Sequence, residues 1–302
     1  CTFTNIEFTS DKFRQCTFKD CVFTDTRWAS CLHRCTFVRA KMASVEFARG
    51  LANCVFQHCD INVATVVNTE VLRTRFVRVR LHQLKARGST CTGLKLDRCV
   101  LTECHFPEVT LHSACWSHST LTQCVLHRAN IANSTWRRVR FHNCGFQCAT
   151  LSNVTVSKGG FHHCNVASAL LTHATWSFVK FGGTTFMDSH WTYLHCIRAV
   201  FQQCSWIRAQ LSHSEFIHCT FSNSTFQQAM LSDAEFTASR TSAVTWTDAG
   251  CTNVVMRPET VVRGRVHWLG EVHATDLVPW HGRDPLQAAA AVADNTGGFV
   301  WK

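Results

Sequence analysis

Cys54-Val55-Phe56-Gln57-His58-Cys59-Asp60-Ile61-Asn62-Val63-Ala64-Thr65-Val66 sets a beat of five that decides the fold. Counting on in fives from Phe56 gives Ile61, Val66, Val71, Phe76 and Leu81, and the series runs to Met256. Of its 41 positions, 36 hold Phe, Leu, Ile, Val, Trp or Met. A second column, two residues before each of these centres, is small: 38 of its 41 members are Cys, Ala, Ser, Thr, Val or Gly. A period of five matches neither the 3.6 of an amphipathic helix nor the 2 of an alternating strand. Two residues in five point inward and three outward, so the chain has to bend at every tile. A stacked β-solenoid does this.

The beat starts before Cys54, with centres Phe3, Phe8, Phe13, Phe18, Phe23 and Trp28. The chain therefore reads as beginning inside a longer one. The phase drops by one residue through Leu32 and again through Leu51, after which it holds to Met256. The two shortened tiles lie 19 residues apart. If four tiles make one turn, both deletions fall on nearly the same side, which supports a four-sided coil.

Tiles such as Ala129-Asn130-Ile131-Ala132-Asn133, Ala209-Gln210-Leu211-Ser212-His213 and Ala234-Glu235-Phe236-Thr237-Ala238 resemble the pentapeptide-repeat family. Its consensus is Ala, then Asp or Asn, then Leu, then two variable residues. The resemblance covers about 1–257 and implies an all-β fold, a right-handed quadrilateral β-helix. This chain departs from the consensus by placing Cys, Ser and Thr for Ala and Phe or Trp for Leu. After residue 56, Asp or Asn precedes the centre only at Asp60, Asn130 and Asn165. The Cys/Phe/Trp-rich style is similar to arrays in adaptor proteins of bacterial type VI secretion and, as an alternative, in secreted bacterial effectors. That implies a non-catalytic protein–protein interaction scaffold in the bacterial cytoplasm, with export by a non-classical route as a variant. Family members have unrelated roles, so the fold does not carry the function.

A twenty-residue turn sorts the centres into faces. One carries Phe76, Leu96, Trp116, Trp136, Val156 and Trp176; the next carries Leu101, Leu121, Phe141, Phe161, Phe181, Phe201 and Phe221. These rings read as core, not as a base-stacking platform. The beat weakens at 84–94, where Ala86 and Cys91 replace large centres and Gly88 and Gly93 intervene. A bulged coil or protruding loop is expected there. From Pro258 the beat stops, so 1–257 reads as solenoid and 258–302 as a short non-repeat cap or docking tail. Val261 to Leu269 alternates like a strand, and Asp284-Pro285 opens a helical pattern running to Ala293.

Fourteen of the 19 cysteines sit in the small column: Cys1, Cys16, Cys21, Cys31, Cys35, Cys54, Cys59, Cys99, Cys104, Cys124, Cys144, Cys164, Cys204 and Cys219. The repeat accounts for their spacing without zinc, and free Cys packs as a small apolar group. His142, His162 and His163 form a weak metal or pH-sensitive candidate, as do His267, His273, Asp276 and His281. Neither outweighs solvated histidine. No nucleophile elbow, phosphate loop or convergent carboxylate pair is present, so neither catalysis nor a cofactor, metal or small-molecule substrate is expected.

The net charge of +10 resides in the repeat. Residues 1–257 carry 26 Lys and Arg against 15 Asp and Glu, and residues 258–302 carry 4 against 5. Two residues after the centres of one face come Arg78, Arg98, His118, Arg138, Lys158, Phe178, Arg198 and His218. Around the same corner come Arg80, Arg140, Lys180 and Arg240. This basic edge suits another protein with an acidic surface. Nucleic acid or an anionic membrane is the alternative, and the oligomeric state stays open.

Overall fold

The computed structural model describes residues 1–10, 13–250 and 254–256, with the strands Val261–Val262, Gly264–Leu269, Val272–Ala274 and Phe299–Val300. The helical pattern at 284–293 lies outside the described residues, as do Asp276 and His281. Among the described residues every regular element is a strand or bridge joined by turns, and no helix is present. Two compact units divide the chain at Thr150 and Leu151. Each is a parallel-strand solenoid.

The bend comes from the backbone at the residue two after each centre. Nearly every such position has a left-handed φ, including His58 (55°), Arg78 (53°), Arg98 (54°), Arg138 (56°), Lys158 (56°) and Arg198 (51°). A non-glycine residue there costs roughly 1–2 kcal/mol. The ladder offsets it: the corner N–H donates to the next coil, as from Arg78 to the Asp97 carbonyl at 2.8 Å and from Arg198 to that of Ile217 at 2.8 Å. The next outward residue donates to the coil before, as from Arg80 to the Cys59 carbonyl at 3.0 Å. Long polar side chains suit the corner because they project away from it. Val63, β-branched and at 55°, is the least comfortable occupant.

Four faces result. Face I carries the centres paired in series from Phe18, through Phe37, Phe56, Phe76, Leu96 and Trp116 to Trp136 in the first unit. In the second unit it runs from Val156 through Trp176, Cys196 and Phe216 to Phe236. Face II follows with Phe3, Phe23, Met42, Ile61, Leu81, Leu101, Leu121 and Phe141, then in the second unit Phe161, Phe181, Phe201, Phe221 and Thr241. Faces III and IV are held over most of the length by single bridges, such as Lys85 with His105 and Thr90 with Thr110.

Stacking like on like fills the interior. Phe37 and Phe56 lie 4.7 Å apart and 4° from parallel, and Phe181 and Phe201 lie 4.7 Å apart at 2°. Full burial of these rings is the main stabilising contribution. It leaves the indole N–H groups of Trp28, Trp116, Trp176 and Trp206 buried without a hydrogen-bond partner. Each costs about 1–3 kcal/mol. Trp191 avoids this by donating to Ser189 Oγ at 2.7 Å.

The small column takes Cys, Ser or Thr for a reason the sequence does not display. The side chain donates to the carbonyl of the centre one coil earlier: Cys54 Sγ to Leu32 at 3.3 Å, Ser239 Oγ to Phe216 at 2.9 Å, Thr184 Oγ1 to Phe161 at 3.2 Å. Alanine cannot. Cys31 corrects the column assignment: it is exposed, because the phase slip puts Ser30 inside, where its hydroxyl donates to the Ser10 carbonyl at 2.7 Å. Cys1 is exposed and Cys16 half-buried, so the first coil leaves both partly uncovered.

The two slips stack directly, Trp28 on Phe47 and Leu32 on Leu51. Gly50 closes the second shortened corner with φ at 99°, where a Cβ would lie 2.1 Å from the Glu70 carbonyl oxygen.

The segment 84–94 does not protrude, contrary to the expectation from its weak beat. Glu70, Thr90 and Thr110 stay in 20-residue register, and Ala86 and Cys91 remain buried. The small centres instead leave an apolar cavity of about 40 Å³ among Val66, Val71, Ala86, Cys91 and Phe106. Beyond the repeat, pairing continues: Arg240 pairs with Val261, Val244 with Gly264, and Val254 with Val272, all parallel. Val261 also pairs antiparallel with Val300.

Candidate interaction surface

The corner between faces I and II carries the expected basic edge, which the two units present separately. In the first unit Arg78, Arg80, Arg98, His118, Arg138 and Arg140 are all exposed; in the second, Lys158, Lys180, Arg198 and Arg240 are. Arg78, Arg98, His118 and Arg138 occupy left-handed positions on consecutive coils, roughly 4.8 Å apart. Arg80 and Arg140 flank the same corner on the face II strands, three coils apart. No ion pair joins any of these Arg or Lys residues to a carboxylate among the described residues.

His118 is different. Its Nδ1 lies 3.7 Å from Asp97 Oδ1, and its Nε2 lies 3.3 Å from Arg138 Nη1. With the proton on Nδ1, the ring donates towards Asp97 and accepts from Arg138, which orients that guanidinium. Asp97 also accepts from Ser117 Oγ at 2.8 Å. In the second unit Phe178 is 46 % exposed, and the Arg198 guanidinium sits 5.4 Å over its ring. That cation–π contact holds Arg198 against the corner.

The backbone does not select these cations. The corner between faces II and III has the same conformation at Gln83 (54°), Glu103 (53°), Gln123 (54°) and Asn143 (52°), and it carries no cation there. Conformation is common to both corners and charge is not.

Reading only beyond the face I centres missed the other side of that face. Arg73, Arg75 and Lys95 are exposed there, with Arg75 and Lys95 directly in register. The period would have found them had the position before each centre been tabulated. The same position in the second unit holds Glu215 in register with Glu235.

Several of the buried thiols are held protonated and are poorly suited to chemistry. Burial pushes Cys54, Cys91 and Cys204 up to about 12 and Cys99 to about 11. Cys124 is pushed up as well, first by hydrogen bonding to Cys104 and Cys144 and then by burial. Cys104, Cys124 and Cys144 are free thiols, as are Cys115 and Cys148, which are exposed. No group of three or more metal-ligating side chains occurs among the described residues, and His142 and His162 fall in different units. A shallow depression of about 370 Å³ on face II is lined by Lys41, Asp60, Asn62 and His82 and holds no nucleophile–base pair. No helix among the described residues is long and apolar enough to cross a membrane.

Residues 195–237 match the family model for pentapeptide repeats, in eight copies. No curated protein matches the chain. Among solved structures, QnrB1, a plasmid-mediated fluoroquinolone resistance protein, is 16 % identical over 70 % of this chain and 96 % of its own, with a TM-score of 0.39. HetL, a pentapeptide-repeat protein involved in heterocyst differentiation regulation from the cyanobacterium Nostoc sp. strain PCC 7120, is 16 % identical over 75 % and 87 %, at 0.19. A PL6 alginate lyase is 5 % identical over 80 % of each chain, at 0.37.

Proposed function

With residues 195–237 read as pentapeptide repeats within a parallel-strand solenoid, we propose that the chain is a non-catalytic protein–protein interaction scaffold. Its corner between faces I and II presents cations to the acidic surface of another protein. The observation that carries this reading is the segregation of charge among equivalent corners: Arg78, Arg98 and Arg138 against Gln83, Glu103 and Gln123 at the same backbone conformation. Since the fold is indifferent to the choice, a cation at successive coils points to something outside the chain. Arg80, Arg140, Lys158, Lys180, Arg198 and Arg240 extend the same chemistry within their own units.

The Cys/Phe/Trp-rich repeat supports a finer role as an adaptor or effector-associated component of a bacterial secretion system, the type VI class included, working in the cytoplasm. Among the described residues exposed rings suited to base stacking are scarce on this corner: Phe178 is exposed, with the Arg198 guanidinium over one face of its ring. That favours an acidic protein over a single-stranded nucleic acid.

Charge reversal tests it. Arg138→Glu, Arg140→Glu and Lys158→Glu combined should abolish capture of the protein partner from the source lysate while leaving the thermal midpoint unchanged. Capture of the same partners by the variant would reduce the edge to solvated surface. Binding of the wild type to duplex DNA or anionic vesicles at low salt, steeply lost at moderate salt, would move the assignment to a polyanion.

A further inference from the structure

We propose that Arg73, Arg75 and Lys95 form a docking point for one phosphate monoester, carried on a phosphorylated side chain of the partner protein. This docking point rests on the reading of the chain as a scaffold for another protein, and it names the chemistry of that partner. All three residues are exposed and lie in the first unit.

Arg75 and Lys95 precede the face I centres Phe76 and Leu96 and stand directly in register. Their side chains therefore leave neighbouring strands roughly 4.8 Å apart. Arg73 occupies the corner between faces IV and I, two residues before Arg75, with a left-handed φ of 45°. One coil on, the same corner holds Gly93, where a Cβ would lie 3.5 Å from Arg73 Cγ. The Arg73 stem thus runs beside a corner that has no side chain of its own. Arg73, Arg75 and Lys95 take three corners of a quadrilateral two coils deep, and Gly93 leaves the fourth bare.

The cations of this side of face I are confined to that point in the adjoining coils. The position before the centre holds Val55 on the coil before and Cys115 on the coil after, and the corner holds Asn53 and Ser113. Like charges opposite one another across neighbouring strands repel and destabilise, as Arg75 and Lys95 do. The fold does not require them, because the same column holds Cys115 in register with Thr135. A repulsive pair kept at one point is relieved by an anion seated between its members.

No carboxylate of the described residues plays that part. Arg73, Arg75 and Lys95 take part in no ion pair among them. Glu70, three residues before Arg73, pairs with none of the three. Asp97, two after Lys95, accepts from Ser117 Oγ at 2.8 Å and lies 3.7 Å from His118 Nδ1. A carboxylate of the partner would bring one charge against three. A phosphate monoester brings about −1.5 to −2 and three acceptor oxygens, enough to meet a guanidinium fork and an ammonium together. The phosphodiesters of a nucleic acid carry one charge each and spread them along a strand, which suits a line of cations better than a point.

Fluorescence anisotropy of the full chain with labelled peptides tests this. The probes are a degenerate peptide library with one fixed phosphoserine, the same library with serine there, and the same with glutamate. The phosphoserine library should bind about tenfold tighter than the glutamate library or better, and the serine library weakest. Arg75→Gln/Lys95→Gln should weaken phosphoserine binding by about tenfold or more, with the thermal midpoint unchanged or raised because a repulsive pair is gone. Arg75→Lys keeps the charge without the fork and should lose less. Arg138→Glu/Arg140→Glu, on the basic edge two coils and more away, should change phosphoserine binding by no more than about twofold at physiological salt. Equal binding of the three libraries would overturn the proposal and leave the scaffold reading standing. So would phosphoserine binding that Arg75→Gln/Lys95→Gln leaves intact. Duplex DNA or phosphoinositide vesicles bound more tightly than the phosphoserine library, and lost in the same variant, would overturn both readings.

Discussion

The coil around Ala86 and Cys91 in the first unit and the coil around Phe186 and Phe201 in the second share one backbone and differ in what fills it. Both keep 20-residue register: Thr90 pairs with Thr110 in one and His190 with Gln210 in the other. In the second, Phe181, Phe201 and Phe221 stack at 4.7 and 4.8 Å, and beside them Phe186 and Trp206 stack on each other at 4.3 Å. In the first, two small centres leave a cavity of about 40 Å³. The backbone ladder and the core are therefore separable. Hydrogen bonds between coils hold the turn in place even where the interior is thinned.

Loss of a ring from the filled coil should have the largest effect. Phe201→Ala removes a fully buried side chain stacked on both sides and should cost about 3–5 kcal/mol. Urea unfolding with hydrogen exchange should localise the loss to the second unit, as nearest-neighbour coupling requires. A cost below about 1 kcal/mol would mean that the stack contributes little beyond the ladder.

One substitution made in both kinds of environment sharpens the contrast. Cys124→Val adds bulk to the packed small column, where Sγ lies 3.7 Å from the Leu101 carbonyl, and should cost about 1–3 kcal/mol. Cys91→Val adds similar bulk beside the cavity and should stabilise by about 0.5–1 kcal/mol. Opposite signs in thermal unfolding are expected. Equal signs would show that the thinned coil has no room.

A smaller, graded effect follows from the thiols. Cys54, Cys91 and Cys204 are raised from 9.0 to about 12 on folding, so the folded chain holds their protons more tightly. Their contribution is fully present below pH 9 and declines as pH rises from 9 towards 12. Stability should fall across that window, less steeply in Cys54→Ala/Cys204→Ala. At pH 8, a thiol reagent should label Cys115 and Cys148 quickly and leave Cys54, Cys91 and Cys204 unlabelled until the chain unfolds.

The smallest effect belongs to a single corner. Val63→Asn replaces a β-branched residue at φ 55° with one that tolerates this conformation, and should stabilise by about 0.5–1 kcal/mol. No gain in the thermal midpoint would mean that the ladder enforces the corner at no cost.

Much of this was legible in the chain itself. The period of five assigned Phe56, Ile61, Trp136 and Phe201 to the interior and Arg78, Arg98 and Arg138 to the surface, because inside and outside are set by position within a tile. The slips at Leu32 and Leu51 implied four sides, and they stack as that requires. Cys31 lies outside rather than in the small column because a one-residue deletion does not mark which residue of the tile is lost. The segment 84–94 keeps its register despite its weak centres, because small side chains thin the core without loosening the backbone ladder.

The sequence by itself determined which residues face inward, since a local period sets the direction of each side chain. Only the tertiary structure decided which side chains become neighbours, because those lie 19 or 20 residues apart and meet only when coils stack. Arg75 beside Lys95, Glu215 beside Glu235 and His118 between Asp97 and Arg138 are contacts of that kind. The void beside Cys91 is another, because it opens only where two small centres fall within one closed turn.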